Sequence, residues 1–350
     1  MVKEIKIGNK KIGKRHPVFI VAEISANHLQ KFDYAIELIK VARKAGADAV
    51  KFQTYTPDTL TIDCDNKYFQ IKQGTIWDGK TLYQLYKEAY TPWEWLPKLK
   101  KIAEKEGLIF FSSVFDKTSV DFLEKITPPA YKIASFEITD IPLIEYVARK
   151  KKPIIISTGI ATLFDIKEAV NTCKKVGNNQ IILLKCTSVY PAPLEEVNLR
   201  TIPNLKETFK TVVGLSDHTL GISIPIAAVA LGAKIIEKHL TLDRSLGGPD
   251  AAFSLEPEEF KEMVNEIRNV ENALGKISYQ LGKKIKKNRE FRRSLFIIKD
   301  IKRGERFTET NIRSIRPGYG LSPKYFKKVL DKEAKRDIEK GTPLSWDLIR

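Results

Sequence analysis

The chain has 350 residues, 43% of them hydrophobic and 29% charged, which is ample for a large buried core and excludes a disordered polymer. Lys and Arg total 60 against 43 Asp and Glu, a net charge of +17, but the lysines are scattered along the chain and only LGKKIKKNREFRR at 281–293 is a concentrated run. That distribution argues against nucleic acid, reads the run as a solvated linker, and leaves a basic field that favours encounter with small anions.

The opening segment, MVKEIKIGNKKIGKRHP, is charged where a signal peptide would be apolar, and no apolar run approaches the ~20 residues of a membrane span. The expectation is a cytoplasmic protein with no membrane contact. From residue 18 onward, short β-branched runs recur, each followed by a longer segment of helical pattern: VFIVAEI (18–24), AVKFQT (49–54), IFFSSV (109–114), AYKIAS (130–135), PIIIST (153–158), IILLKC (181–186), VVGLSD (212–217) and KIIEKH (234–239). Alternation of this kind predicts parallel βα units, and eight of them predict a closed (β/α)8 TIM barrel, an α/β fold. The segment DYAIELIKVARKAGA after the first run has the apolar spacing of a helix that packs on a sheet. Residues 55 to about 90 read as an elaborated loop over the second strand.

The texture changes after about residue 265. FKEMVNEIRNVENALGK reads as a helical segment, the basic run follows, and RRSLFIIKDIKRGERFTETNIRSIRPGYGLSP carries short strands and K-x-G turns. We place the barrel at 1–265, a linker at 266–288 and a small second domain at 289–350. A domain of about 60 residues has little core of its own, so it is expected to lean on a barrel, its own or a partner's.

Side chains two apart on a strand point the same way. The strand ends pair Glu23 with Ser25, Lys51 with Gln53, Ser216 with His218 and Glu237 with His239. In this fold catalytic groups gather at the C-terminal ends of the strands. A single strand-end serine or lysine also serves as a cap or a core hydrogen-bonding group; polar ends on so many strands point to a site. His218 and His239 close consecutive strands, beside Asp217, Glu237 and Asp250, and paired neutral imidazoles suit an open divalent-metal site as well as simple hydrogen bonding. His28 is read as a substrate contact or a brace for its loop. Lys51, Lys132 and Lys185 either clamp an anionic substrate or supply a Schiff-base amine. Ser112, Ser113, Ser135, Ser157, Thr158, Ser188 and Ser216 offer neutral donors or caps. Cys64, Cys173 and Cys186 show neither disulfide nor zinc spacing and are expected to be reduced thiols.

The blocks AEISANH, GADAVKFQTYTPDTLTID, WDGKTLYQLYKEAYTPWEW, YKIASFEITD, ISTGIAT, KCTSVYPAP, GLSDHT, EKHLTLDRSLGGPDAAFSLEPEEF and IRPGYG resemble, in order from about residue 17 to the end, the sialic-acid (nonulosonic acid) synthase family. The resemblance implies a barrel followed by an antifreeze-like (SAF, β-clip) domain in a domain-swapped homodimer. It implies condensation of phosphoenolpyruvate with an amino-sugar aldehyde, assisted by a divalent metal (Mn2+ or Mg2+, with Co2+ a further candidate) on His218 and His239. Phosphoenolpyruvate contacts would fall on Lys51, Lys132, Ser135, Ser188, Ser216 and a hydroxyl at Ser112 or Ser113. Sugar contacts would fall on Gln53, Tyr190, Asp250 and the partner-supplied Arg316, with the acids Glu23 and Glu137 near the sugar and the reacting centre. Asn27-His28-Leu29-Gln30 stands where sialic-acid synthases commonly read N-H-N-G. The blocks look most like the branch of the family whose sugar is 2,4-diacetamido-2,4,6-trideoxy-L-altrose, with the N-acetylneuraminate and legionaminate sugars as alternatives. A Schiff-base aldolase and a carbohydrate- or nucleic-acid-binding protein remain readings from other classes.

Overall fold

A computed structural model describes residues 4–350. The chain divides into one compact unit ending at Gly275 and a second of Lys276–Arg350. In the first, a hairpin of β1 (Ile5–Ile7) and β2 (Lys10–Ile12) precedes eight parallel strands: β3 (Phe19–Glu23), β4 (Ala49–Thr54), β5 (Ile109–Val114), β6 (Tyr131–Ile133), β7 (Ile154–Ser157), β8 (Ile181–Cys186), β9 (Val212–Asp217) and β10 (Ile235–His239). They pair in chain order and β10 returns to β3, closing the barrel expected from the eight β-branched runs.

Strand parity sorts the side chains into two cores. One set, including Phe19, Val21, Ala49, Phe111, Ile155, Leu184, Val212 and Ile235, fills the barrel together with Ile5, Ile7 and Ile12 of the hairpin. The alternate residues, such as Ile20, Val50, Phe110, Ile133, Leu183 and Ile236, pack against the helices. The helix Phe32–Lys44 buries Ala35, Leu38, Ile39 and Ala42, one stripe at helical spacing. Gly214 is required on β9, because a Cβ there would stand 2.4 Å from the Ile235 carbonyl oxygen. Caps start the helices where the strand ends leave off: Asp116 accepts from the backbone of Thr118 and Ser119, and Thr162 forms a capping box with Asp165.

Two expectations change. The segment after β4 is not simple loop, since it contains helices Pro57–Leu60 and Leu82–Ala89, each begun by a threonine capping box. The helix Pro257–Leu274 runs through the boundary placed at 265 and buries Phe260, Met263, Val264 and Ile267 in the core between sheet and helices. Its apolar stripe therefore belongs to the barrel unit, and residues 266–274 are not linker. The basic run forms a short exposed helix at Lys283–Asn288. The second unit has its own core of Leu295, Ile297, Ile301, Phe307, Ile312, Val329, Leu344 and Leu348 around the antiparallel pair β11 (Ser294–Ile297) and β12 (Ile312–Ile315). Among the described residues no helix is long and apolar enough to cross a membrane.

Candidate active site

The register of the barrel assembles the site. Glu23 lies beside Lys51, Ser113 beside Lys132, Glu237 beside Ser216, and His239 beside Glu23. All of these have the inward parity of Val21, Ala49, Phe111 and Ile235, so they continue the interior core upward as a polar layer at the C-terminal ends of the strands.

The deeper part is a buried charge cluster. Glu237 Oε1 accepts from Lys132 at 2.6 Å, Lys51 at 3.0 Å and Ser216 at 2.9 Å, while its Oε2 is buried with no hydrogen-bond partner. Lys51 Nζ also lies 3.0 Å from Glu23 Oε2, an ion pair by distance whose angles do not make a hydrogen bond, and 3.3 Å from Ser113 Oγ. Burial penalises every charge here, and the balance differs by residue. Burial pushes Glu23 up to about 7 against the pull of Lys51. Burial also acts to raise Glu237, but the ammonium groups of Lys132 and Lys51 outweigh it and hold that carboxyl well below its ordinary range. Lys51, between two glutamates, is raised despite its own burial. Burial wins at Lys132, which falls to about 8.

Two residues further along the strands the chemistry changes. His218 Nδ1 donates to the Thr187 carbonyl at 2.9 Å, which leaves Nε2 as the free nitrogen of that ring. The His239 ring centroid is 5.4 Å away; its Nδ1 is buried without a hydrogen-bond partner, 3.8 Å from Asp250 Oδ2. Burial and the neighbouring His218 hold His239 far below its usual value, in the neutral form a metal ligand needs. Among the described residues no group of three His, Cys, Asp or Glu converges on one point. A divalent ion held by these two imidazoles would have its remaining positions open to water or substrate, although at His218, unlike His239, burial is outweighed by the neighbouring Cys186 and the ring is raised. Tyr190 packs on His218 at 4.4 Å between centroids and Phe253 on His239 at 4.9 Å, giving this level an aromatic wall. Opposite, Gln53 donates to Glu23 Oε1 at 3.2 Å and to Ser25 Oγ at 2.8 Å. Asp250 is raised by burial and accepts from the Ala26 backbone at 3.4 Å.

A third group forms around Gly159, after β7. Its N–H donates to Ser135 Oγ at 3.0 Å, and a Cβ on it would stand 2.0 Å from Ser188 Oγ, so Ser135 and Ser188 close on a backbone position that only glycine permits. Glu137, in the same turn as Ser135, has one buried carboxyl oxygen without a partner and is pushed up to about 7 by burial.

Of the residues expected at the mouth, Glu23, Lys51, Gln53, Ser113, Lys132, Ser135, Glu137, Ser188, Tyr190, Ser216, His218, His239 and Asp250 belong to these groups. Ser112 does not. It has the opposite parity to Ser113 and turns to the helix side of the sheet, bonded to Thr54 Oγ1 at 2.7 Å and to the Phe52 carbonyl at 2.9 Å. Lys185 is turned out in the same way, toward the Cys186 carbonyl. Asp217 faces away from the histidines into a buried ion pair with Lys238 at 2.6 Å. His28 braces its loop: Nδ1 accepts from the Gln30 N–H and Nε2 donates to Thr91 Oγ1 at 3.0 Å. Arg316 is an exposed residue of the second unit, directly after β12. The reading of cysteines by spacing missed Cys186, which points inward with its sulfur 3.8 Å from His218 Nδ1 and from Ser188 Oγ. It shares the parity of Leu184, which fills the barrel, but the alternation of β8 alone does not tell which parity faces inward. Gly159 and the long-range reach of Trp77, whose indole N–H donates to the Pro249 carbonyl at 2.8 Å, left no local signal.

Comparison with known proteins gives two matching families: the NeuB family over residues 38–279 and the SAF domain over residues 292–350. The chain is 48% identical over 340 residues to a pseudaminic acid synthase of Campylobacter jejuni, covering 97% of this chain and 98% of that protein. It is 47% identical to the pseudaminic acid synthase of Helicobacter pylori, covering 95% and 97%. Among solved structures, the spore coat polysaccharide biosynthesis protein SpsE of Bacillus subtilis superposes with a TM-score of 0.68 at 39% identity over 99% of both chains.

Proposed function

The chain belongs to the NeuB family, and from that premise we propose that it condenses phosphoenolpyruvate with 2,4-diacetamido-2,4,6-trideoxy-L-altrose to give pseudaminic acid and phosphate. The observation that carries this reading is the near full-length similarity to two pseudaminic acid synthases, joined to a barrel mouth with two buried lysines beneath two buried imidazoles.

Lys51 and Lys132 are positioned to take the charges of phosphoenolpyruvate, with the hydroxyls of Ser113, Ser216, Ser135 and Ser188 as neutral donors. The carbon–carbon bond forms between C3 of phosphoenolpyruvate and the sugar aldehyde, whose oxygen gains a proton. Water adds at C2 and gives up a proton to the Glu23 carboxylate. The tetrahedral adduct then loses its hydroxyl proton as the C2–O bond to phosphate breaks, leaving the 2-keto acid. A Mn2+, Mg2+ or Co2+ ion on His218 and His239 would act as Lewis acid on the aldehyde oxygen. Gln53, Tyr190 and Asp250 bound the space above the histidines and orient the sugar.

The homodimer is part of the same proposal. Exposed apolar side chains stand in the segments that follow β6 to β9, among them Phe136, Ile160, Phe164, Val189, Leu194 and Leu220, and a second copy would cover them while bringing Arg316 of the partner subunit to the sugar. The three free cysteines support a cytoplasmic enzyme. Lys132, lowered to about 8, favours one competing reading, a Schiff-base aldolase; its ion pair with Glu237 speaks against a free amine.

The experiment is phosphate release from phosphoenolpyruvate with the altrose, legionaminate-type and N-acetylmannosamine substrates in turn, products identified by mass. Preference for N-acetylmannosamine would overturn the sugar assignment, and a borohydride-trapped lysine adduct would overturn the reaction class.

A further inference from the structure

The excursion after β4 reaches back across the mouth. Gln70 pairs antiparallel with Thr81, closing a narrow loop, and the Asp78 carboxylate gathers the backbone N–H groups of Gln73, Gly74 and Thr75 at 3.2, 2.9 and 2.9 Å. This local network fixes the loop tip and projects Trp77 away from it. The indole packs on Tyr190 at 5.4 Å between centroids, on a ring that itself packs on His218 at 4.4 Å, and its N–H is spent on the Pro249 carbonyl. The next residue is Asp250, whose carboxylate meets the Ala26 N–H and approaches His239.

We propose that Trp77 is the positioning residue of the sugar subsite: it clamps Tyr190 and the Pro249–Asp250 segment together across the barrel mouth, and so sets affinity for the sugar aldehyde without touching the phosphoenolpyruvate groups. The inference rests on the synthase reading given above and adds a residue to it. Its selectivity follows from the two levels of the site. Lys51, Lys132, Ser216 and Glu237 hold one another in the deeper layer. Trp77 reaches the outer layer through the Tyr190 ring and the Pro249 carbonyl. A tilted aromatic contact, its indole held by a hydrogen bond, restricts the Tyr190 ring before substrate arrives, and removing such preorganisation weakens binding of the ligand it faces.

The test is a Trp77→Ala and Trp77→Phe pair with separate KM and kcat for each substrate. Trp77→Ala is expected to raise KM for the sugar about tenfold or more, with KM for phosphoenolpyruvate within about twofold of wild type. Trp77→Phe, which keeps a ring against Tyr190 but lacks the N–H that bonds the Pro249 carbonyl, is expected to recover part of the loss and no more. An equal rise in both KM values, no rise in either, or no recovery by Trp77→Phe overturns the proposal. The clamp has a readout that needs no substrate: trypsin should cut after Lys72 or Lys80 faster in Trp77→Ala than in wild type, and unchanged cleavage overturns it. A wild-type enzyme that releases no phosphate with any of the sugars sinks the functional reading instead, and leaves the protease result to decide the clamp.

Discussion

Replacing Glu237 by glutamine removes the one carboxylate that both buried lysines share. Its Oε1 accepts three hydrogen bonds, from Lys51, Lys132 and Ser216. The amide oxygen can keep these acceptor positions, but its NH2 enters a buried place where Oε2 has no partner. The charge also goes, leaving only Glu23 to balance two ammonium groups. Deleting one partner of a buried ion pair costs about 3–5 kcal/mol. Lys132, already lowered to about 8, can shed its proton rather than stay charged, so the lower figure, about 3 kcal/mol, is expected. For a unit of this size that corresponds to a drop in Tm of about 6–12 °C. Thermal unfolding followed by circular dichroism at pH 7 measures it. Because the folded pKa of Glu237 lies below its ordinary 4.5, its contribution is in place above pH 4.5 and fades as the pH falls further, so the gap between variant and wild type must narrow in acid. A drop under about 2 °C at pH 7, or a gap that widens in acid, refutes the idea that this carboxylate holds the cluster together.

Glu23 works as a base only when ionised, and burial holds it up to about 7; kcat/KM should therefore rise with pH through that region, and Glu23→Gln should lose about 10²–10⁴-fold. An ascending limb with the same midpoint in Glu23→Gln assigns the titration to another group. Titration calorimetry with Mn2+ alone should show binding to wild type that His218→Ala and His239→Ala each abolish; undiminished binding in either variant removes that histidine from the metal site. Ser113→Ala should raise KM for phosphoenolpyruvate about tenfold, the worth of a hydrogen bond to a charged group, whereas Ser112→Ala should leave kinetics unchanged and lower only Tm. The reverse pattern would show that the strand's facing is misread.

The barrel was legible because its evidence is local and repeated. Each βα unit carries a β-branched run and an amphipathic stripe, and β4, β5, β8 and β9 have the bounds expected from composition alone. The paired histidines were legible for the same reason: consecutive strands of a closed parallel barrel are neighbours, so His218 and His239 must meet once the strands are recognised. Resemblance, rather than spacing, supplied phosphoenolpyruvate and the amino sugar.

Which of two adjacent polar residues faces the mouth was decided only by closure of the sheet. Ser112 and Ser113, Lys185 and Cys186, Glu237 and Lys238 each present one polar group to either side. Period-two alternation says that the members of each pair diverge without saying which goes in. Both sides are buried, one by the barrel interior and one by helices, so burial does not distinguish them either. The tertiary structure also decides the electrostatics: Glu23 and Glu237 are the same residue type at the ends of neighbouring strands, yet two lysines hold one ionised while burial raises the other. Trp77 reaches its partners across 113 and 172 residues of chain, a distance over which only the folded barrel brings them together.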